Sequence, residues 1–331
     1  MGTYYSSVDD EISRERFLDL SCWLALACLR GIGRSTVHSI AARNRALGLP
    51  MTGFFEMPQR DLLAQYDLPA SAELDMSRRK AALELAEHLT STVVRRGISV
   101  LTIADPGYPA GLLACLKRSA PPLLYLSGDR SVLDKPGIAV VGTRNPSRKA
   151  KRAARVCAGK IAAERFNLMS GYADGIDLIG HIGALESGGT TTAILPHGIL
   201  RFRRKPGFPD LDTCETRVVI VSEFAPDAPL SRHTALMRNR TICALAGAML
   251  VIETRERGGA VNAGRNALRL RKPLFVAVGN TARATPAGNR LLIKQGAKPV
   301  TILGSDDAST LTALFDAAGS RPADAQLNLD L

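Results

Sequence analysis

The chain has 331 residues, of which 46% are hydrophobic and 22% are charged, a composition typical of a soluble globular protein with one large or two moderate domains. Its six cysteines are scattered without a C-x-x-C pair, and no apolar run reaches the ~18 residues of a membrane helix. We therefore expect a cytoplasmic protein with reduced thiols, without a membrane span, disulfide or zinc site, and the polar, acidic start argues against a secretory signal.

Positive charge is clustered in three stretches. The net charge is +12, and residues 144–165 hold eight basic residues against one acidic residue. Four of the five residues 201–205 are basic, and residues 255–272 hold six basic residues beside Glu256. Such clusters favour a polyanionic partner, above all nucleic acid. The net charge by itself would also be explained by basic residues spread over a solvated surface.

The chain up to residue 97 has the pattern of a helical domain. Apolar residues recur at helical spacing over residues 16–28 and 77–95, which predicts two amphipathic helices. The turn at 31–33 (G-I-G) and Ser35 predict another helix, running through Ile40. Two helices joined by such a turn resemble a helix-hairpin-helix unit, whose backbone N–H groups can bind a DNA phosphate. A purely structural corner is an equal alternative.

Residues 98–305 have the pattern of an α/β domain. A strand at 98–103, a short helix ending at 116 and a strand at 121–129 are expected at the edge of the main sheet. From residue 138 strands and helices alternate, which is typical of a parallel, doubly wound sheet. Its six predicted strands lie at 138–141, 167–171, 190–196, 218–223, 249–253 and 273–278, and one of its helices is predicted from Met237 to Ala246. Residues 306–331 form a short tail with one weak helix and no assigned function.

The turn after the strand 138–141 has the pattern of an anion site. Gly142 permits a tight turn and the close approach of a ligand, and Ser147 is a suitable N-cap for the next helix. The helix amino end presents unpaired N–H groups, to which Arg144 adds a charge able to bind phosphate in bidentate fashion. The alternative is an ordinary α/β turn with an exposed arginine, because the full G-x-G-x-x-G pattern is lacking.

A series of short motifs runs through residues 107–297. They are G-Y-P at 107–109, V-G-T-R at 141–144, S-G-Y-A-D-G-I-D at 170–177, H-I-G-A-L at 181–185, G-G-T-T-T-A-I-L at 188–195, S-E-F at 222–224, R-N-R-T-I at 238–242, G-N-R-L-L-I at 288–293 and G-A at 296–297. Each motif is weak alone. Their order and spacing resemble those of the DprA/Smf family of DNA-processing proteins.

The resemblance implies an extended Rossmann-like fold: an α/β, doubly wound and mostly parallel sheet, preceded by a small helical domain of helix-hairpin-helix or SAM-like type. It implies a protein without catalysis, metal or cofactor that binds single-stranded DNA, or also duplex DNA, in a basic pocket. The family acts in recombination and transformation. A RecA-type recombinase is the implied partner, and a homo-oligomer such as a dimer is expected.

The same resemblance assigns site residues. Members of the family carry an arginine in the turn after the first strand, and here this position corresponds to Arg144. They also carry a basic residue in the loop after the third strand, which corresponds best to Lys205. We expect Arg238 and Arg240 to support the far side of this site. The full set of candidate DNA- and phosphate-binding residues is Gly142, Thr143, Arg144, Ser147, Ser170, Gly171, Gly175, Gly189, Arg201, Arg203, Arg204, Lys205, Arg238, Asn239 and Arg240.

Two loops depart from the family pattern. Residues 198–200 and 203–206 replace the usual G-L-D and Y-P-x-x-N, and residues 257–263 (R-G-G-A-V-N-A) replace S-G-S-L-I-T-A. We therefore expect a divergent member, without the C-terminal winged helix that many members carry. Some divergent relatives belong to anti-phage toxin–antitoxin modules, so a toxin protein is an alternative partner.

A nucleotide-sensing or nucleotide-processing Rossmann protein is the alternative function. Asp174, Asp177, Glu223 and Glu253 lie near predicted strand ends, and two carboxylates in one pocket can act as acid and base. A simpler interpretation is that Asp177 caps its helix while Glu223 pairs with a nearby arginine.

One histidine and three aromatic residues have open roles. His181 follows Asp177 by four residues, which suggests either a metal pair or, more commonly, a buried histidine bonded to a carboxylate. Aromatic residues make up only 5% of the chain. Tyr172, Phe202 and Phe208 near the basic loops are candidates for base stacking, or equally for the core.

Overall fold

The computed structural model describes residues 13–210, 215–303 and 311–319, which divide into two compact units, residues 13–105 and 106–319. Of the predicted tail, only residues 311–319 are described. Within the described ranges, no helix combines the length and the apolar character that crossing a membrane requires.

Five helices and one strand build the first unit. They are α1 Arg14–Cys28, α2 Arg34–Leu47, α3 Met51–Glu56, α4 Gln59–Gln65, α5 Met76–Arg95 and β1 Ser99–Thr102. The three helices predicted from apolar spacing and the G-I-G turn are confirmed. Ser13 and Asp75 cap α1 and α5, accepting the N–H groups of Arg16 and Arg78. The six-residue α3 and seven-residue α4 are missing from the prediction because they are too short to show a period.

The G-I-G turn between α1 and α2 packs against a neighbouring segment of the same unit. Gly31 has φ +82°, and a Cβ atom there would lie 2.4 Å from the carbonyl oxygen of Ser71. Only glycine fits both constraints. The N–H of Glu73 donates to the carbonyl of Arg30 at 3.2 Å. This packing gives the glycine a structural role, and phosphate binding by the turn stays a prediction.

Eight strands lie side by side in the second unit. They are β2 Leu123–Gly128, β3 Gly137–Val141, β4 Asn167–Ser170, β5 Thr190–Leu195, β6 Val218–Ser222, β7 Ala248–Val251, β8 Leu274–Gly279 and β9 Lys298–Leu303. Their order is β2-β6-β5-β4-β3-β7-β8-β9. The edge strand β2 is antiparallel to β6, and the remaining pairs are parallel. The sheet is thus the Rossmann-like, mostly parallel one expected.

Seven helices accompany these strands. They are α6 Ala110–Leu116, α7 Arg148–Ala163, α8 Ile176–Glu186, α9 Arg232–Leu245, α10 Gly259–Arg269, α11 Ala287–Lys294 and α12 Thr312–Gly319. The prediction missed α11 and β9. The helix α9 begins at Arg232, five residues before the predicted start at Met237. Its start is fixed by a capping box, in which Ser231 Oγ accepts the N–H of Thr234 at 3.0 Å. The earlier start places Arg238 in the second turn of α9.

The central strands β3 to β7 are buried along their whole length, which explains why their sequences are continuous rather than alternating. The threonines that open β5 are satisfied inside the sheet. Thr191 Oγ1 donates to the carbonyl of Leu168 at 2.7 Å, and Asn167 Nδ2 donates to Thr192 Oγ1 at 2.7 Å. Buried hydroxyl groups need such partners.

The strand order reverses beside β3. The chain proceeds from β3 through β4, β5 and β6 on one side, and then crosses to β7 on the other side of β3. In open α/β sheets the loops at the carboxyl ends of the strands on either side of such a reversal form a crevice for ligands. The turn after β3, which carries Arg144, lies at this crevice.

Candidate functional site

The β3–α7 turn is fixed to the neighbouring strand end. The N–H of Thr143 donates to the carbonyl of Glu253, just after β7, at 2.8 Å. Ser147 is the N-cap of α7, as predicted, and its Oγ accepts the N–H of Ala150 at 3.2 Å. Arg144 is exposed and makes no hydrogen bond or ion pair with any residue in the described ranges. The turn therefore presents a guanidinium whose donors are available to an anion.

A carboxylate lies at the amino end of α7. Glu253 Oε2 accepts the N–H of Ser147 at 2.9 Å, so this helix-end donor is already used. A negative side chain is favourable there because of the positive end of the helix dipole. A phosphate that used the same donor would have to replace the carboxylate.

The β4–α8 loop approaches that turn so closely that two glycines are required. Gly175 has φ +84°, and a Cβ atom would lie 2.4 Å from the carbonyl oxygen of Thr143. A Cβ atom on Gly142 would lie 2.5 Å from Cγ1 of Ile176. Asp177 is buried at the start of α8, where its carboxylate accepts the N–H of Ala173 at 3.4 Å, and burial raises its pKa.

The basic loop after β5 is anchored on Tyr172. The tyrosine hydroxyl accepts the N–H of Lys205 at 2.9 Å, and its ring lies 5.3 Å from that of Phe202 and 5.0 Å from that of Phe208. Tyr172 and Phe208 are buried. These rings are therefore used to hold the loop, and only the half-buried Phe202 retains accessible surface for stacking.

Lys205 points from this loop to the β4–α8 loop. Its ammonium lies 2.6 Å from Oδ1 of Asp174, and this hydrogen bond to Lys205 is the main reason that the pKa of Asp174 is lowered. The Asp174 side chain is 72% exposed, so the pair lies at the surface. Arg201, Arg203 and Arg204 are exposed in the same loop. Arg203 and Arg204 donate to backbone carbonyls within the loop, and Arg201 donates to the carbonyl of Asp227, after β6.

A groove of about 400 Å³ opens beside Arg144. Arg144 and Lys151 form its cationic side, and the aliphatic side chains of Leu178, Ile179 and Ile182 on α8 line the rest. Lys151 and the α8 residues were not among the predicted site residues. The signal for Lys151 was its place one turn after Ser147, but the contribution of α8 depends on how two helices pack, which the sequence does not reveal.

Some predicted residues lie away from the groove surface, which corrects their assignment as phosphate contacts. Arg238 is only 6% exposed and donates to the carbonyls of Gly171 and Ile194. Asn239 is buried and donates to the carbonyl of Gly259 at 3.2 Å. Both residues lie on the face of α9 that is buried in the protein. Arg240 is exposed.

Ser170 and Gly189 are also displaced from the predicted role. Ser170 is fully buried, and its Oγ donates to the carbonyl of Val140 at 2.5 Å within the sheet. Gly189 precedes β5 rather than following a strand. It therefore lies at the amino edge of the sheet, opposite the crevice.

His181 is buried and bonded to a hydroxyl group rather than to a carboxylate. Its Nδ1 lies 2.6 Å from Thr191 Oγ1. The Thr191 hydroxyl donates its hydrogen to the carbonyl of Leu168. The Nδ1–H of His181 must therefore donate to Thr191 Oγ1, and Nε2 carries the lone pair. Burial lowers the pKa of His181 to about 3, and the imidazole stays neutral.

The neutral His181 should make the fold less stable in acid. The unfolded chain takes up a proton near pH 6.5 while the folded protein resists protonation until about pH 3. Below pH 6.5 the unfolded state therefore binds more protons than the folded state. For each unit by which the pH is lowered, the free energy of unfolding should fall by up to about 1.4 kcal/mol. Urea unfolding between pH 7 and pH 4.5 measures this, and His181→Asn should flatten the slope. The exposed His233→Asn is the matched control, and equal slopes in all three proteins would contradict the assignment.

The sequence matches a protein family and known members of it. The family model described as DNA recombination-mediator protein A matches residues 99–309. DNA processing protein DprA of Streptococcus pneumoniae (strain ATCC BAA-255 / R6) is 32% identical over 202 residues, covering 60% of this chain and 70% of that protein.

Two solved structures are similar to the chain. The X-ray structure of DprA from Streptococcus pneumoniae aligns with a TM-score of 0.69 and 22% identity, covering 91% of this chain and 98% of that one. A structure of DNA processing protein A from Helicobacter pylori, described for its single-stranded DNA binding mode, aligns with a TM-score of 0.55 and 25% identity, covering 66% of this chain and 96% of that one.

Proposed function

The chain belongs to the DNA recombination-mediator protein A (DprA/Smf) family, and on this premise we propose that it binds single-stranded DNA in the groove at the carboxyl ends of its parallel strands. Arg144 and Lys151, which line the groove, and Lys205, which is paired with Asp174 next to the groove residue Gly175, hold the phosphates. Arg238 is a positioning residue behind them. The DNA-binding mode described for the Helicobacter pylori relative supports the same ligand class here.

The groove carries the proposal because of its two kinds of lining. Cationic side chains on one side and aliphatic side chains on the other suit a flexible strand, whose phosphates and bases can turn to opposite sides. Such contacts to the backbone fix position without reading bases. With the rings of Tyr172 and Phe208 buried, stacking is limited, and little sequence preference is expected.

The hydrogen bonds of the carboxylates near the groove support a binding protein without a catalytic acid or base. Asp177 is buried against backbone N–H groups, Glu253 accepts the N–H of Ser147, and Asp174 is paired with Lys205. Each is held by a structural partner in the free protein. A general acid or base needs instead a side chain directed at a substrate proton.

Family membership also supports a homodimer that acts with a RecA-type recombinase or, in a defence module, with a toxin protein. Duplex DNA is a further candidate ligand. Analytical ultracentrifugation, together with co-purification against each candidate partner, would test these parts of the proposal separately from DNA binding.

Binding should depend steeply on salt. Three phosphate contacts predict a slope of about −2 for log K against log salt on a single strand. Fluorescence anisotropy with mixed-sequence oligonucleotides between 50 and 400 mM NaCl measures the slope. No binding at low salt, or binding indifferent to salt, would contradict the proposal.

The second candidate function is the sensing of a nucleotide, which the volume of the groove favours, since about 400 Å³ falls within the usual range of small-molecule sites. Calorimetry of mononucleotides against a ladder of oligonucleotides separates the two functions in the same samples. Affinity that grows with strand length supports DNA binding. Micromolar binding of one nucleotide with no gain from a longer strand would establish the sensor.

A further inference from the structure

One face of α7 carries a row of cations, of which Lys151 alone lines the groove. Arg148, Lys151, Arg152 and Arg155, here called the α7 ridge, are all exposed. At 3.6 residues per turn they fall within a sector of about 100°. The opposite face of α7 is buried in the core, through Ala150, Ala154, Cys157 and Ile161 among others.

The α7 ridge is unfavourable for the helix itself. Four pairs among its members lie three or four residues apart, a spacing at which like charges destabilise a helix by about 0.2–0.5 kcal/mol per pair. The first turn of α7 contains no acidic residue of its own, and the carboxylate at that end of the helix dipole comes from Glu253, beyond β7. Arg155 has a carboxylate partner in Glu186, and a bound polyanion would offset the repulsion between the like charges of the ridge.

The ridge is continuous with the groove. Lys151 belongs to both, since it lines the groove beside Arg144. Beyond it, α7 packs closely on α8: a Cβ atom on Gly183 would lie 3.5 Å from the Cα atom of Arg155. Arg155 Nη1 reaches Glu186 Oε2 on α8 at 3.2 Å. Lys151 and Arg155 therefore follow the α7–α8 boundary away from Arg144, and Arg148 and Arg152 lie beside them on the exposed face of α7.

We propose that a single strand leaving the groove continues along the α7 ridge, so that the ridge is a second segment of the DNA-binding surface. This rests on the proposed function of the groove. Seven residues at 1.5 Å separate Arg148 from Arg155, about 10 Å. That length matches about three phosphates at the 3.4 Å spacing of a stacked strand.

The test neutralises the ridge while leaving the groove intact. The variant Arg148→Gln/Arg152→Gln/Arg155→Gln keeps Lys151, and circular dichroism checks its fold. The control Arg265→Gln/Arg269→Gln/Lys294→Gln removes the same charge from α10 and α11. Both are compared with the wild-type protein on a ladder of single-stranded oligonucleotides, from strands that fill the groove alone to strands several times longer, and on duplexes of the same lengths.

The ridge variant should bind the shortest strands like wild type but lose the gain from added length. On the long strands its salt slope should be smaller in magnitude by about 2, and at 0.1 M salt its affinity should be lower by up to about 100-fold. The control variant should keep the wild-type length dependence.

Three outcomes overturn the inference. A ridge variant with the length dependence of wild type, while wild type binds DNA, removes the ridge and leaves the groove standing. Equal losses in the ridge and control variants would mean that only net charge acts. A loss confined to duplex DNA would make the ridge a duplex site. Absence of any single-strand binding by wild type would instead refute the proposed function itself.

Discussion

Arg238→Ala is expected to lower the free energy of unfolding by about 3–5 kcal/mol, the range for removing one partner of a buried charge arrangement. Arg238 is 6% exposed and lies close enough to Asp177 and Glu223 for both to raise its pKa against the larger, lowering effect of burial. Without it, Asp177 loses its neighbouring cation, and the carbonyls of Gly171 and Ile194 lose their donor.

Urea unfolding at pH 7 measures this loss. Arg240→Ala, at an exposed arginine two residues later in α9, is the matched control and should change stability by no more than about 0.5 kcal/mol. Arg238→Met fills most of the volume and separates lost charge and hydrogen bonds from a cavity. If Arg238→Ala were as stable as the control and yet failed to bind DNA, Arg238 would be a direct contact rather than a positioning residue.

Arg144→Gln/Lys205→Gln is expected to lower the affinity for single-stranded DNA by about 100-fold or more, because each charged hydrogen bond to phosphate contributes about 1.5–3 kcal/mol. The salt slope should shrink by about 1.4, the contribution of two contacts. Stability should change little, because Arg144 is exposed and the Lys205–Asp174 pair lies at the surface, where ion pairs contribute about 0–1 kcal/mol.

Anisotropy with several sequences of one length provides the measurement. Lys135→Gln/Lys160→Gln removes two exposed charges from positions at the amino edge of the sheet, where no ligand crevice lies, and serves as control. Wild-type affinity in the double variant would place the DNA elsewhere. A loss that differs strongly between sequences would indicate base reading, contrary to a backbone-tracking groove.

The sheet was predictable because its signals are local. The strand β3 is a run of apolar residues followed by a glycine turn, and Ser147 caps the next helix through its own side chain. Each of these features depends on a few consecutive residues. The motifs then added the order of the elements, which local patterns alone do not give.

The site was predictable only in part, because its accessibility depends on long-range packing. Arg144 and Lys205 follow strands and lie at the crevice, as their positions in the chain suggest. Arg238 has the same chemistry, but it lies on the buried face of α9, and which face packs inward depends on long-range contacts. The aliphatic side of the groove comes from α8 packing beside α7, a relation that no single segment records.

In the free protein, the carboxylates of Asp174 and Glu253 already accept hydrogen bonds from the Lys205 ammonium and the Ser147 N–H. A phosphate that takes the Lys205 ammonium or the Ser147 N–H displaces one of them, so association is an exchange of anions rather than a simple gain of contacts. The donors are ordered before the strand arrives, which lowers the entropy lost on binding. The exchange also offsets part of that gain, because a displaced carboxylate loses its hydrogen bond from Lys205 or from the Ser147 N–H. The affinity of the proposed site therefore depends on the balance between the phosphate contacts that form and the carboxylate contacts that are given up.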